Sequence, residues 1–427
     1  MMIRMNHIHA ALRSWHSLQL AVCLLICLAV PATSLIAQIR SEKLVIGIDS
    51  ILMDEVASGR IPGAVVLVKS RGTVVMEKAY GHAYLYNERL DTVPVPEVMT
   101  TRHLFDIASL TKVTGTTTGI MLLADRGLLK VDDKVSRHVP SFDTPEKRDI
   151  TIRQLLTHTS GIHEWYPMYY SCRTRQETYA LIAALPLRYP PGKQRRYSDL
   201  GFTVLGQIIE RVSGKPLEEF LTSEVFRPLG MRETMYLPLR HGRSTGIAAT
   251  SHGNPYEYRM VHEPSLGFVF PEVGPDTWNG WRRYTLVGEV NDGNAWYACG
   301  GVSGAAGLFS SAADLQKLVD MLMKKGMGPN GRFLSEKTVM VFLRPDSFRN
   351  GLGWMMDPGS DFMSDAPAGS FGHTGFTGTS IVAIPSKQTS LILLVNRQHK
   401  GLLPSGSYYN VTPLRKRLFS SLLRYLP

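Results

Sequence analysis

Apolar positions along the chain switch period several times, and each switch marks an expected element. From Glu42 to Gly59, Leu44, Ile48, Ile51, Leu52 and Val56 fall on one side of an amphipathic helix. Beyond Pro62-Gly63, two short apolar runs, Ala64–Val68 and Val74–Ala79, read as strands joined by a turn at Ser70-Arg71-Gly72. Residues 84–101 are Pro-rich and aperiodic, which predicts a loop. From Leu110 to Ala124 the composition suits a helix, with Gly127 where a C-terminal cap belongs. Further helices are expected at 151–158, 176–185, 200–212, 217–225 and 311–325. Residues 236–298 are irregular, rich in Gly, Pro, His and aromatics, and so long a loop region inside a domain points to function. Strand signals return at 352–356, 372–376, 380–384 and 389–396, and the chain closes on an amphipathic helix over 413–425.

Strands at both ends with helices between predict an α+β fold. One antiparallel sheet is built from both termini and flanked by helices, and a mainly helical subdomain, roughly 127–300, is inserted. Residues 1–37 read as a signal peptide. Arg4 and Arg13 precede the apolar run Leu18–Val30, and the small residues Ala32, Ser34 and Ala37 follow, with cleavage expected near Ser34 or Ala37. That predicts a periplasmic or secreted domain, 38–427, or one anchored to the inner membrane if the segment is not removed.

The formal charge of +11 becomes +9 without residues 1–37 and is spread thinly, without the dense Lys/Arg block of a nucleic-acid binder. The charge itself implies a modest attraction to anionic surfaces or anionic substrates; the partner expected is a small molecule or peptide, with peripheral or N-terminal membrane association open. Beyond residue 37 the cysteines are Cys172 and Cys299, read as two unpaired thiols. There is no Cys-x-x-Cys and no His-Glu-x-x-His, so no metal site is expected; no organic cofactor is expected either.

Ser109 and Lys112 form the Ser-x-x-Lys in Phe105–Lys112. On a helix they share a face, which brings hydroxyl and amine within reach. A serine hydroxyl is a weak nucleophile until a neighbour takes its proton, and a lysine can do so only when burial or a nearby cation lowers its pKa. A helix N-terminus adds a field that favours developing negative charge. By itself the pattern is common by chance, and the residues could be a surface pair. Gly242–Gly246 also matches Gly-x-Ser-x-Gly, but no apolar strand precedes it and no helical pattern follows, so it is dismissed as a nucleophile elbow.

Ser109-Leu110-Thr111-Lys112, Tyr197-Ser198-Asp199 and His373-Thr374-Gly375 stand in an order and spacing that resemble the three motifs of the penicillin-recognising serine hydrolases. That group includes class C β-lactamases, D-alanyl-D-alanine peptidases and related esterases. Leu155–Gly161, Pro228–Met231 and Gly304–Ser310 extend the likeness over roughly residues 42–425. Val290–Tyr297 and Val395–His399 look most like the penicillin-binding protein 4B type of D-alanyl-D-alanine carboxypeptidase.

The resemblance implies that Ser109 attacks a carbonyl, that Lys112 and Tyr197 share proton transfer, and that the Ser109 and Phe376 N–H groups hold the oxyanion. It also implies that His373, Thr374 and Gly375 line the edge where a substrate carboxylate or leaving group binds. Two residues depart from the pattern. Asp199 stands in place of Asn, and a carboxylate can only accept hydrogen bonds. It should hold Lys112 as ammonium and leave Tyr197 as the base, unless it merely caps the helix that follows. His373 replaces the more usual Lys, so carboxylate binding is expected to weaken as pH rises through about 6.5. His158 is read as structural. Arg397 is either an anion-binding residue at the cleft or a solvated strand end.

Overall fold

The computed structural model describes residues 38–356 and 362–425. The expected signal segment, 1–37, lies outside them. The chain separates into two compact units, Ile51–Phe419 and a small one within Met1–Ser50 and Ser420–Pro427. In the small unit both described segments are helical, with Leu44, Ile48 and Leu422 buried.

The large unit carries a six-stranded antiparallel sheet. Its strands are β1 (Gly63–Ser70), β2 (Thr73–Tyr86), β3 (Thr92–Val98), β4 (Phe371–Thr374), β5 (Ser380–Ile384) and β6 (Thr389–Val395). The spatial order is β3-β2-β1-β6-β5-β4, so strands from opposite ends of the sequence meet at the centre, where Ala64 faces Val395 and Ser70 faces Thr389. Every residue of β6 and the first six of β1 are buried. Burial on both faces explains why these two strands read as continuous apolar runs, whereas β2 is buried at Met76, Tyr80 and Ala83 alone. The helix Ala312–Met323 packs on the sheet, with Ser390 Oγ donating to Gln316 Oε1 at 2.8 Å and Lys69 paired to Asp320.

Two expectations fail here for physical reasons. Residues 92–98 are a strand, although Pro94 and Pro96 argued for a loop. β3 is an edge strand, where a residue without N–H breaks no ladder. Leu352–Met356 is no strand; Met355 makes only isolated bridges to Asn350 and Gly372. Between the two halves of the sheet the chain is mainly helical, and its apolar faces close a core that includes Val113, Ile120, Leu155, Phe202, Leu205, Ile208 and Phe220. A second, three-stranded sheet places Leu308–Ser310 between Phe105–Asp106 and Met235–Tyr236. It carries the chain directly to Ser109.

Candidate active site

Ser109 follows a strained turn. Ala108 has φ 44°, a left-handed conformation that costs a residue with a Cβ and persists only where surroundings hold it. The holder is buried Asp106, whose Oδ1 accepts Ala108 N–H at 2.8 Å and whose Oδ2 accepts Asn291 N–H at 2.7 Å. Burial pushes its carboxyl up to about 6, against the pull of those two N–H groups. The expected helix then begins, but Lys112–Thr117 runs as a π-helix before α-helical Thr118–Asp125. Such a wide turn inside a helix is frequent at functional sites.

Lys112 is fully buried. Its Nζ lies 3.1 Å from Ser109 Oγ, 2.8 Å from Ala305 O and 2.7 Å from Asp199 Oδ1. Three acceptors around one nitrogen suit an ammonium with three donors. Burial by itself would lower the Lys112 pKa, but the charges of Asp199 and Tyr197 more than offset it and hold the group above an ordinary lysine. The segment before Ala305 packs tightly on residues 202–206, and a Cβ at Gly304 would sit 2.2 Å from Phe202 O.

The second segment is fixed by capping. Ser198, not Asp199, caps the helix Asp199–Ser213, its Oγ accepting Gly201 N–H at 3.0 Å and donating to His163 O at 2.6 Å. Asp199 sits in the first turn with its carboxylate free to reach Lys112, so the capping reading of Asp199 is corrected. His158, itself at φ 59°, accepts Ser198 N–H on Nδ1 at 3.0 Å, and its ring lies 4.4 Å from that of Tyr197. A residue read as holding its own loop therefore also orients the tyrosine. The Tyr197 hydroxyl is within hydrogen-bonding reach of Ser109 and Lys112. Its pKa is raised, chiefly by burial, with Lys112 opposing and Asp199 adding to the shift.

The third segment is the turn from β4 to β5. Thr377 Oγ1 donates to Asp106 O at 2.7 Å and Thr379 Oγ1 to Ile107 O at 3.1 Å, so the turn is tied to the backbone leading to Ser109. The N–H groups of Ser109 and Phe376 donate to no partner among the described residues. His373 is 1% exposed; Nδ1 donates to Thr374 O at 2.8 Å and Nε2 has no partner among the described residues. Burial, aided by Lys112, pushes its pKa down to about 3. This contradicts the expected loss of carboxylate binding near pH 6.5: an imidazole sealed from water and beside a fixed cation stays neutral throughout that range. Arg397 is neither reading offered for it. All three of its nitrogens donate to backbone carbonyls, those of Phe376 and Tyr409.

Ser109, Tyr197, Asp199 and Phe376 open on a cavity of about 330 Å³, whereas Lys112, His373, Thr374 and Gly375 are not among its lining residues. The irregular stretch 236–298 supplies Asn254, Tyr256, Glu257, Met260, Phe268, Asn291 and Asp292 to the lining, and Trp165 and Tyr408 complete its aromatic side. Among the described residues no Lys, Arg or His lines it. Burial pushes Glu257 up to about 8, and burial with the charge of Asp199 pushes Asp292 up to about 6. Sequence reasoning assigned none of these acids a place, because no local pattern ties Glu257 to Ser109. Cys172 and Cys299 are both free and buried, as expected.

A serine beside a buried lysine and a tyrosine, with two unoccupied N–H groups across a cavity, is the equipment of an acyl-transfer hydrolase. The chain belongs to the β-lactamase family, whose model matches residues 48–410, within the penicillin-recognising serine hydrolases. It is 32% identical over 415 residues to an N-acetylmuramyl-L-alanine amidase of Bacillus subtilis (strain 168), covering 88% of this chain and 89% of that protein. It is 30% identical over 397 residues to a Salmonella agona (strain SL483) protein named "Putative D-alanyl-D-alanine carboxypeptidase", covering 84% and 88%. Among solved structures, the hydrolase EstCE1 superposes with a TM-score of 0.66 at 23% identity, over 89% of this chain and all of that one. A class C β-lactamase gives 0.65 at 18%, over 90% and 98%. These two likenesses bear on the fold, and the chain is a serine hydrolase of that fold.

Proposed function

We propose that this protein is an exported D-alanyl-D-alanine carboxypeptidase that acts on peptidoglycan peptides through an acyl-enzyme on Ser109. The observation that carries the reading is the Ser109–Lys112–Asp199 chain around a buried ammonium, 3.1 and 2.7 Å long, with the Tyr197 hydroxyl in reach of its serine end. Lys112 stays ammonium and Tyr197 acts as the base in its phenolate form, stabilised by that cation. Ser109 Oγ adds to the carbonyl, and its proton passes to Tyr197. The oxyanion sits between the Ser109 and Phe376 N–H groups, and the proton moves on to the departing amine. Water then attacks the ester, returning the serine. His373, Thr374 and Gly375 form the wall behind the leaving-group side. Residues 1–37 direct export, which places the enzyme in the periplasm or outside the cell. The relatives named for muramyl-peptide and D-alanyl-D-alanine chemistry support the substrate class.

A second reading, an esterase on the same machinery, is favoured by one feature: Asp199 cannot donate to a substrate amide carbonyl as an asparagine would. Intact-mass spectrometry after exposure to a β-lactam, a nitrophenyl ester and a D-Ala-D-Ala peptide decides between them. The carboxypeptidase reading expects an adduct on Ser109 and release of D-alanine. Turnover of the ester alone favours the esterase, and no adduct with any of the three overturns both.

A further inference from the structure

Two guanidinium groups hold the β4–β5 turn from behind. Arg415 Nη2 donates to Thr379 O at 2.8 Å and to Gly375 O at 3.2 Å. Arg397 donates to Phe376 O from Nε at 2.9 Å and Nη2 at 2.6 Å, and its Nη1 reaches Tyr409 O at 2.8 Å. Three carbonyls of the turn are therefore pinned on cations.

Gly375 O and Phe376 N–H belong to one peptide unit, and that unit is trans. In a trans peptide the carbonyl and the N–H point in opposite directions across a rigid plane. Gly375 O accepts Gly378 N–H at 3.1 Å within the turn and Arg415 Nη2 from outside it, and a carbonyl so fixed turns Phe376 N–H the other way. That N–H has no partner among the described residues, and Phe376 lines the cavity that holds Ser109. Gly375 keeps the plane against the nucleophile's turn, since a Cβ there would meet Ile107 O at 2.5 Å and Thr379 Oγ1 at 2.1 Å. A charged donor on the carbonyl end also draws electron density through the amide and makes its N–H a stronger donor, the cooperativity of linked hydrogen bonds.

We propose that Arg415 is a positioning residue that orients and polarises the Gly375–Phe376 peptide as an oxyanion donor, while Arg397 locks the next peptide so that the turn cannot rotate. The inference rests on the reading that Phe376 N–H serves the oxyanion formed at Ser109. It also gives the two arginines a task other than gripping a substrate carboxylate, since all three nitrogens of Arg397 and Nη2 of Arg415 donate to backbone carbonyls.

The test compares wild type with Arg415→Met, Arg415→Lys and Arg417→Met. Arg417 pairs with Glu55 and is the control for a loss of stability alone. Acylation by penicillin and by a nitrophenyl ester is followed by stopped flow, and the infrared stretch of the acyl-enzyme ester carbonyl is recorded. Arg415→Met is expected to slow acylation about tenfold or more, somewhat less than the 10²–10³ for deleting an oxyanion donor outright. KM should stay nearly constant, and the ester stretch should move towards that of an ester without hydrogen bonds. Arg415→Lys should recover part of both, and Arg417→Met should change neither. If Arg415→Met does not fold, Arg415→Lys decides by the same two readings, since it keeps the charge but loses the planar guanidinium that aims it at the two carbonyls. A folded Arg415 variant with wild-type acylation and an unshifted carbonyl overturns the clamp alone. A wild type that forms no adduct on Ser109 overturns the clamp and the acyl-enzyme reading together.

Discussion

The two walls around Ser109 are built on opposite principles. On one side Lys112, Tyr197 and Asp199 act through side chains: a buried, fixed ammonium flanked by a phenol and a carboxylate that open on the cavity. On the other, His373 to Thr379 acts through its backbone, and its charges, Arg397 and Arg415, stand behind the turn with their donors on carbonyls. His373, the residue of that wall expected to titrate, is buried and neutral. Proton movement is thus confined to one wall, and the other offers fixed dipoles. The separation has a physical advantage. A donor that must meet developing charge works best when it neither moves nor titrates, whereas a base must do both.

The contrast can be broken from either side. Ser109→Ala should abolish acylation by penicillin and ester, a loss on the order of 10⁴-fold or more, read by intact mass. Tyr197→Phe should cost about 10²- to 10⁴-fold in kcat/KM. In wild type kcat/KM should climb with pH well into the alkaline range. The phenolate is the active form, its share grows tenfold per pH unit below the pKa, and that pKa is raised. Asp199→Asn removes a charge that raises it, so the climb should move to lower pH; an unmoved profile would mean that Tyr197 is not the base. Lys112→Met should leave Asp199 without its cation. A fully buried broken pair costs 3–5 kcal/mol, but the Asp199 side chain keeps 28% exposure, so about 2–3 kcal/mol is expected from urea unfolding. Lys112→Met with Asp199→Leu should recover much of it. The smallest effect concerns the other wall. Between pH 5.5 and 8.5 no inflection with a histidine's pKa should trace to His373, so wild type and His373→Asn should give kcat/KM profiles of the same shape, whatever their level.

Much of the fold was legible because periodicity survives in local sequence. The amphipathic stretches became helices, and the apolar runs of β1, β5 and β6 became strands. β3 was illegible because its prolines are tolerated only by virtue of lying at an edge, and an edge is a property of the assembled sheet. Of the site, the spacing of Ser109 and Lys112 could be read directly, since three residues of helix dictate their proximity. Asp199 as the partner of Lys112 was anticipated from charge. That Ser198 takes the capping role, freeing Asp199, could be decided only by which side chain turns back on the helix.

What the amino-acid order determined by itself was the set of reactive groups, the class of fold and the local geometry of each motif, all governed by contacts a few residues long. Tertiary structure decided the rest. It made Lys112 a saturated cation, silenced His373, lined the cavity with acids from the irregular middle, and brought Arg415 behind a peptide some 40 positions earlier. Those outcomes depend on burial and on the field of distant charges, and both exist only after the chain has closed on itself.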